Sequence, residues 1–385
     1  MQLMADAVAV LGSRHGLLMD PIHRRCGIIR LDPFAQLPEL EIRAGVILEG
    51  KEYTLPLCAE GERFFFHDQR MTPCTMSLMG IHPETMTKVK LTVATPFRPR
   101  DATFSTRPAL GLRLQVAKMP GLFRWIKKTS DPERVTAFME FRGNEIEVGT
   151  GAVDGMGSRG AEGSGGTVEL RFVSRTTADK APAEFPQRDR VIALDGRLEG
   201  TRFVFDADFH QGAEHTFDLV WVTYSAPVMQ VLGEARPFKY AEQFDGLEAV
   251  AQWAQREGRT IFENAARVDG IIAQNNCSKS VNNLLAQTLH SWLINTWWVS
   301  GGTGTVDKVD GVDRVDGVDR LGGAGGARAP REVFTVWEGS CYFHSTVDVE
   351  FTQSPFYLAV WPELLGLELD FWPAFAKNGE RTLGE

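Results

Sequence analysis

Between about residue 38 and residue 225, hydrophobic positions alternate with polar ones in short runs. Examples are Val89, Leu91 and Val93, then Leu112, Leu114 and Val116, then Val168, Leu170 and Phe172. Successive side chains of an extended chain point to opposite faces, so this period of two predicts strands with one buried face. Turn signals separate the runs: Glu49-Gly50-Lys51 lies between Val46-Ile47-Leu48 and Tyr53-Thr54-Leu55, and Asp195-Gly196 precedes Phe203-Val204-Phe205. Many short strands with few helical stretches between them predict an antiparallel β-sandwich rather than a βαβ fold. Residues 149–166 carry eight glycines and few apolar residues, which predicts a loop within this domain.

Near residue 240 the period changes. Leu247, Val250, Ala251, Trp253 and Ala254 share one helical face, a second helix is predicted around residues 261–273, and a third over 281–298. The third is apolar most of the way round (Leu284, Leu285, Leu289, Trp292, Leu293, Trp297), the pattern of a helix packed among other helices. Seven tryptophans lie beyond residue 245 (Trp253, Trp292, Trp297, Trp298, Trp337, Trp361, Trp372), against two before it, so the two halves read as different domains, 1–240 and 241–385. Within the second, residues 301–330 form a low-complexity insertion. Its aspartates Asp307, Asp310, Asp313, Asp316 and Asp319 recur every third residue, whereas calcium loops use alternate positions and a closing Glu.

Composition narrows the partners. The chain has 385 residues, 43% hydrophobic and 24% charged, enough to bury two cores. A net charge of −9 with the two signs interspersed gives no basic stripe for nucleic acid. No apolar run reaches the length of a membrane span, and residues 1–12 lack the layout of a signal peptide, so the expectation is a soluble cytoplasmic protein. Cys26, Cys58, Cys74, Cys277 and Cys341 show no CxxC spacing and read as reduced thiols, and Asp206, Asp208 and His210 read as the polar face of a strand rather than a metal site. No metal or organic cofactor is expected. Arg14-His15-Gly16 and His23-Arg24-Arg25 read as solvated loops ahead of the alternative that they touch the barrel from the sandwich.

The densest cluster of chemistry is Thr335-Val-Trp-Glu-Gly-Ser-Cys-Tyr-Phe-His-Ser-Thr-Val-Asp-Val-Glu-Phe351, followed by Leu358-Ala-Val-Trp-Pro-Glu-Leu364. It gathers Glu338, Asp348, Trp337, Tyr342, His344, Ser345 and Thr346 on one loop ahead of a helix. Glycoside hydrolysis suits this set. An oxocarbenium-like transition state needs a carboxylate below the ring and a protonated carboxyl at the leaving oxygen, while aromatic faces stack on the sugar and short polar groups hold its hydroxyls. Read without further context, Glu338 and Asp348 could equally be helix-capping or surface acids.

The same run resembles the nucleophile region of two groups of retaining β-glycosidases: glycoside hydrolase family 116, which includes non-lysosomal glucosylceramidases and β-glucosidases, and the β-xylosidases of family 52. Leu289-His290-Ser291 and Asn295-Thr296-Trp297 resemble the helix before the nucleophile loop, and residues 240–253 resemble the start of the barrel. The resemblance implies an N-terminal antiparallel β-sandwich followed by the first helices of an (α/α)6 barrel. It implies Glu338 as nucleophile, Asp348 and Thr346 as binders of sugar hydroxyls, and a carbohydrate substrate. From the residues themselves, Trp337 is a further candidate substrate-binding residue, and His290, on a mostly apolar helix, reads either as a substrate-binding residue lining the barrel mouth or as a satisfied core histidine. Two departures stand out: Ser345 replaces the family Asn, and Glu338 and Asp348 are ten residues apart, the xylosidase spacing. The acid/base aspartate of these families lies further along the barrel than residue 385, so the resemblance also implies a C-terminally truncated chain, inactive or nearly so alone. The alternative readings are a non-catalytic carbohydrate-binding or interaction protein and an α/α-barrel enzyme of another activity, such as a phosphorylase or an inverting hydrolase.

Overall fold

The computed structural model describes residues 3–29, 39–82, 84–119, 133–143, 146–151, 166–172, 188–225, 229–231, 234–301, 332–337, 345–370 and 372. Its first part is an antiparallel β-sandwich of two sheets. In chain order the strands are β1 (Asp6–Ala9), β2 (Gly16–Asp20), β3 (Arg25–Ile29), β4 (Glu39–Leu48), β5 (Lys51–Thr54), β6 (Glu62–Arg63), β7 (Phe66–Met71), β8 (Thr75–Ile81), β9 (Thr87–Ala94), β10 (Ala109–Lys118), β11 (Arg134–Arg142) and β12 (Ile146–Gly151). They continue as β13 (Thr167–Phe172), β14 (Arg188–Ala193), β15 (Arg197–Glu199), β16 (Arg202–Asp208), β17 (Glu214–Tyr224), β18 (Met229–Val231), β19 (Glu234–Arg236), β20 (Thr296–Val299) and β21 (Val333–Val336). One sheet runs β1-β2-β3-β4-β11-β16-β15, with β5 joined to β4 and the two-residue β6 joined to β5 in parallel, and the other runs β12-β13-β14-β17-β10-β9-β8-β7.

The alternating pattern explains how the sheets face each other. Val89, Leu91 and Val93 of β9 and Leu112, Leu114 and Val116 of β10 are fully buried and meet Ile42, Ala44 and Val46 of β4 in one inter-sheet core. The β4–β5 connection is a two-residue hairpin closing Leu48 on Lys51, with Glu49 and Gly50 both at positive φ (49° and 77°). That is the primed-turn geometry that matches strand twist, and glycine supplies it without strain. Strand β12 continues through Gly149 to Gly151, so the glycine-rich segment begins inside the sheet; the rest of that segment, 152–165, lies outside the described residues, as do 302–331 of the low-complexity insertion.

Among the described residues the helices in chain order are α1 (Ala102–Ser105), α2 (Leu247–Glu257), α3 (Thr260–Ala273), α4 (Lys279–Asn295) and α5 (Val347–Val360), with residues 362–370 also helical. Helix α2 lays Val250, Ala251 and Ala254 on the outer face of the second sheet, where they share a core with Val220 and Val222 of β17. Helix α3 docks by Phe262. Its ring sits over Gly111, where a Cβ would come within 2.7 Å of Cζ, and under the Arg113 guanidinium, 4.0 Å from the ring centre, which Asp218 holds through two hydrogen bonds of 2.7 and 2.9 Å.

Two sequence expectations change here. The third helix stops at Asn295, and Trp297 and Trp298 belong to β20 instead. Its burial is one-sided as well: Leu289, Trp292 and Leu293 are buried, whereas Val281, Leu284 and Leu285 are exposed. Among the described residues no helix is long and apolar enough to cross a membrane.

Candidate functional site

The run that carries the candidate chemistry begins on β21, so its position depends on how α4 ends. Thr296 stops the helix: its backbone turns extended (ψ 141°), and its hydroxyl donates to the Leu293 carbonyl at 2.8 Å. The same hydroxyl oxygen accepts the Gly12 amide at 2.7 Å, tying the β1–β2 hairpin to the end of the helix. Trp298 then donates its amide to the Gly12 carbonyl at 2.9 Å. This approach requires glycine, because Gly12 has φ 71° and a Cβ there would fall 2.5 Å from the Trp298 Cβ. Strand β20 pairs with β21, setting Trp297 opposite Thr335.

Aromatic and cationic groups stack at this seam. The Trp297 and Trp337 rings are 5.7 Å apart at 25°, and the Arg14 guanidinium lies over Trp297 at 5.8 Å while donating to the Ile294 carbonyl at 2.7 Å. Arg14 and His15 are therefore buried, not solvated as the sequence suggests. The His15 Nε2 lies 3.3 Å from the Trp221 carbonyl, and burial pulls the proton affinity of His15 down, more than Asp189 and that carbonyl raise it. The neighbouring triplet behaves differently, for His23 and Arg25 are exposed.

Trp337 and Ser345, the residues that flank 338–344, are held close together. Trp337 donates its amide to the Asn295 carbonyl at 2.9 Å, Ser345 donates its amide to the Val336 carbonyl at 2.8 Å, and Val336 donates back to the Ser345 hydroxyl oxygen at 3.2 Å. Ser345 adopts φ 46° and donates its hydroxyl to Glu368 at 2.8 Å. Glu368 is fully buried on the helical segment 362–370, a carboxylate that the motif did not single out. A signal for it exists: Trp361, Leu364 and Glu368 fall at i, i+3 and i+7, so the buried stripe of that segment runs through it.

The predicted site residues divide into three groups. Trp337, just after β21, and Thr346, at the N-cap position of α5, stand next to the Val336 and Ser345 pair that is hydrogen-bonded here. Asp348 lies in the first turn of α5, two residues further on. Glu338, with Tyr342 and His344, lies outside the described residues. His290 is elsewhere on α4, buried against the sandwich. Its Nδ1 is 3.1 Å from Asp6 and its Nε2 is 2.9 Å from the Thr72 carbonyl, so both ring nitrogens are engaged within the chain. Next to it Asp269 accepts from the Thr72 hydroxyl at 2.5 Å and the Cys74 amide at 2.9 Å; burial raises its proton affinity, against the pull of those donors and of His290. Among the described residues no three His, Cys, Asp or Glu side chains converge as a metal site.

Comparison with known proteins adds little. No family model matches the chain, and no curated protein matches it. Among solved structures, a human-microbiome protein described as a kojibiose phosphorylase overlaps 70% of this chain at 7% identity, with a TM-score of 0.27. The chain spans 31% of that structure, and at this score the likeness carries no argument about fold or function.

Proposed function

We propose that this chain belongs to a retaining β-glycosidase, with residues 1–240 as its sandwich domain and 241–385 as part of an (α/α)6 barrel. Glu338 is the nucleophile, its carboxylate attacking the anomeric carbon of a β-glucoside or β-xyloside to form a covalent glycosyl-enzyme. Asp348 and Thr346 hold sugar hydroxyls, and Trp337 offers an aromatic edge to the sugar. His290 serves from a distance, seating α4 on the sandwich through Asp6 and the Thr72 carbonyl.

One observation supports this reading beyond the sequence motif. The flanks of the Glu338 segment are pinned to each other at Val336 and Ser345, beside the Trp297–Trp337 stack and at the head of α5. The two ends of this segment are thus held together next to the helix turn bearing Asp348, and catalytic groups concentrate on loops held by a rigid scaffold.

No residue here is assigned the role of general acid, so the test uses a leaving group that needs none. Incubating the chain with 2,4-dinitrophenyl 2-deoxy-2-fluoro-β-glucoside and its xyloside counterpart should release dinitrophenolate once per chain. The fluorosugar should remain as an ester on the peptide containing Glu338, and Glu338→Gln should take up none. Label on another peptide, or equal label in the variant, defeats the assignment.

A further inference from the structure

The described residues line an open cavity of about 370 Å³ at the end of the sandwich formed by the β4–β5 hairpin, the approach to β7 and the β8–β9 turn. That volume is at the small end of the range for ligand sites, roughly 300–1,000 Å³. It is well separated from the Glu338 flanks. Strand β9 runs from Thr87, beside the cavity, to Ala94, which packs in the helix-facing core, and seven steps of about 3.4 Å put roughly 24 Å between them.

Its lining is amphipathic and balanced in charge. Phe64 is buried, with its ring against Gly80 where a Cβ would clash at 2.6 Å, while Phe65, in the bend between β6 and β7, is 82% exposed at the cavity. Tyr53 contributes a second ring, edge-on to His82 at 4.4 Å between centroids. Two acids, Glu49 and Glu84, and two bases, Lys51 and Arg63, complete the rim. A net charge near zero argues against an ionic ligand. Hydroxyl groups, which both donate and accept, can use all four.

His82 supplies a directional donor. Its Nδ1 lies 3.2 Å from the Thr85 amide, which can only donate, so the neutral ring carries its proton on Nε2. Burial lowers the proton affinity of His82 despite the nearby Glu84 and Glu49, keeping the ring neutral near pH 7. Among the described residues no group accepts from Nε2, and Nε2 is not sealed inside the protein.

We propose that this cavity is a second carbohydrate-binding site that takes one neutral pyranose ring, with Phe65 and Tyr53 against its carbon face and His82 Nε2 donating to a hydroxyl. The proposal does not depend on Glu338 being a nucleophile. Saturation-transfer NMR and calorimetry on the full chain with methyl β-glucopyranoside and methyl β-xylopyranoside test it. Saturation transfer to the ring protons is expected, and Phe65→Ala should weaken binding about fivefold to tenfold, the worth of one aromatic contact. Because Phe65 is exposed, that variant should keep the parent melting temperature; Glu338→Gln should bind as the parent does. Absence of binding to the parent, undiminished binding by Phe65→Ala, or clearly tighter binding of glucuronate or glucosamine than of the neutral sugars would each overturn it.

Discussion

Strand β10 serves two cores that are built differently. Its inward residues Leu110, Leu112, Leu114 and Val116 join an inter-sheet core in which aliphatic side chains predominate, whereas Ala109 and Gly111 on the outward face meet helices through Phe262. The second core is rich in aromatics: Phe238, Tyr240, Trp253, Phe262, Trp292, Trp298 and Phe334 are all buried there. Sheets stacked face to face leave a slot of uniform depth that branched aliphatics fill from alternate positions. A helix crossing the back of a sheet leaves an uneven gap, which large rings fill only where the sheet recedes to glycine or alanine.

Cutting one large side chain from each core gives the largest contrast. Trp292→Ala should cost about 3–5 kcal/mol and Leu112→Ala about 2–5 kcal/mol. Hydrogen exchange should show them acting differently. Trp292 packs on Phe97, Phe334 and Phe356 and donates to the Tyr357 hydroxyl, so its loss should strip protection from α4, α5 and β21 first, while Leu112→Ala should lower protection across both sheets. Equal loss everywhere from both variants would mean that the two cores unfold as one unit.

Filling the gap beneath Phe262 should have a smaller effect. Gly111→Val places a branched side chain where even a Cβ is too close, and should cost about 1–3 kcal/mol with protection lost chiefly in α3.

Acid should separate the regions by pH. His15, at the seam, has its proton affinity lowered by burial from an ordinary value of 6.5. Its neutral form favours the fold, a contribution complete above about pH 6.5 and lost as pH falls below it. Glu140, on the outer face of the first sheet, is held below its ordinary 4.5, because hydrogen bonds and charge from Arg142 and Arg202 outweigh the opposing effect of burial. Its contribution is complete above about pH 4.5 and lost only as pH falls below that. Urea titrations over the two windows should therefore flatten near pH 6 in His15→Gln and near pH 4 in Glu140→Gln. The smallest effect belongs to the sandwich rim: Gly50→Ala adds strain at φ 77° with nothing nearby to strike, and should cost about 1 kcal/mol in a thermal melt.

What the sequence disclosed follows the same division. The period-two runs around Leu91, Leu112 and Leu170 lie on β9, β10 and β13, because inter-sheet burial needs only alternation. Helices α2 and α3 were legible from one apolar face each. The end of α4 was not, since Trp297 and Trp298 continue an apolar pattern, and it is the Gly12 and Leu293 partners of Thr296 that turn the chain. For the same reason Arg14 read as a solvated loop residue: the Trp297 ring and Ile294 carbonyl that bury it are far away in sequence. At the candidate site, the cluster around Trp337 and Thr346 was visible as a motif, but Glu368 acquires its place only through Ser345.

The tie between Gly12 and Thr296 also governs the order in which the chain can be completed. The two residues are 284 positions apart, and α4 reaches back to the same first hairpin through His290 and Asp6. At about 5–20 residues per second, a ribosome needs roughly 15–60 s between making the first partner and making the second. For that interval β1, an edge strand of its sheet, has no helix beside it and offers unpaired backbone to any other strand. Slowing synthesis through residues 240–300 should therefore raise the aggregated fraction more than slowing it through the sandwich strands, and supplying α4 and β20 early, by circular permutation, should lower it.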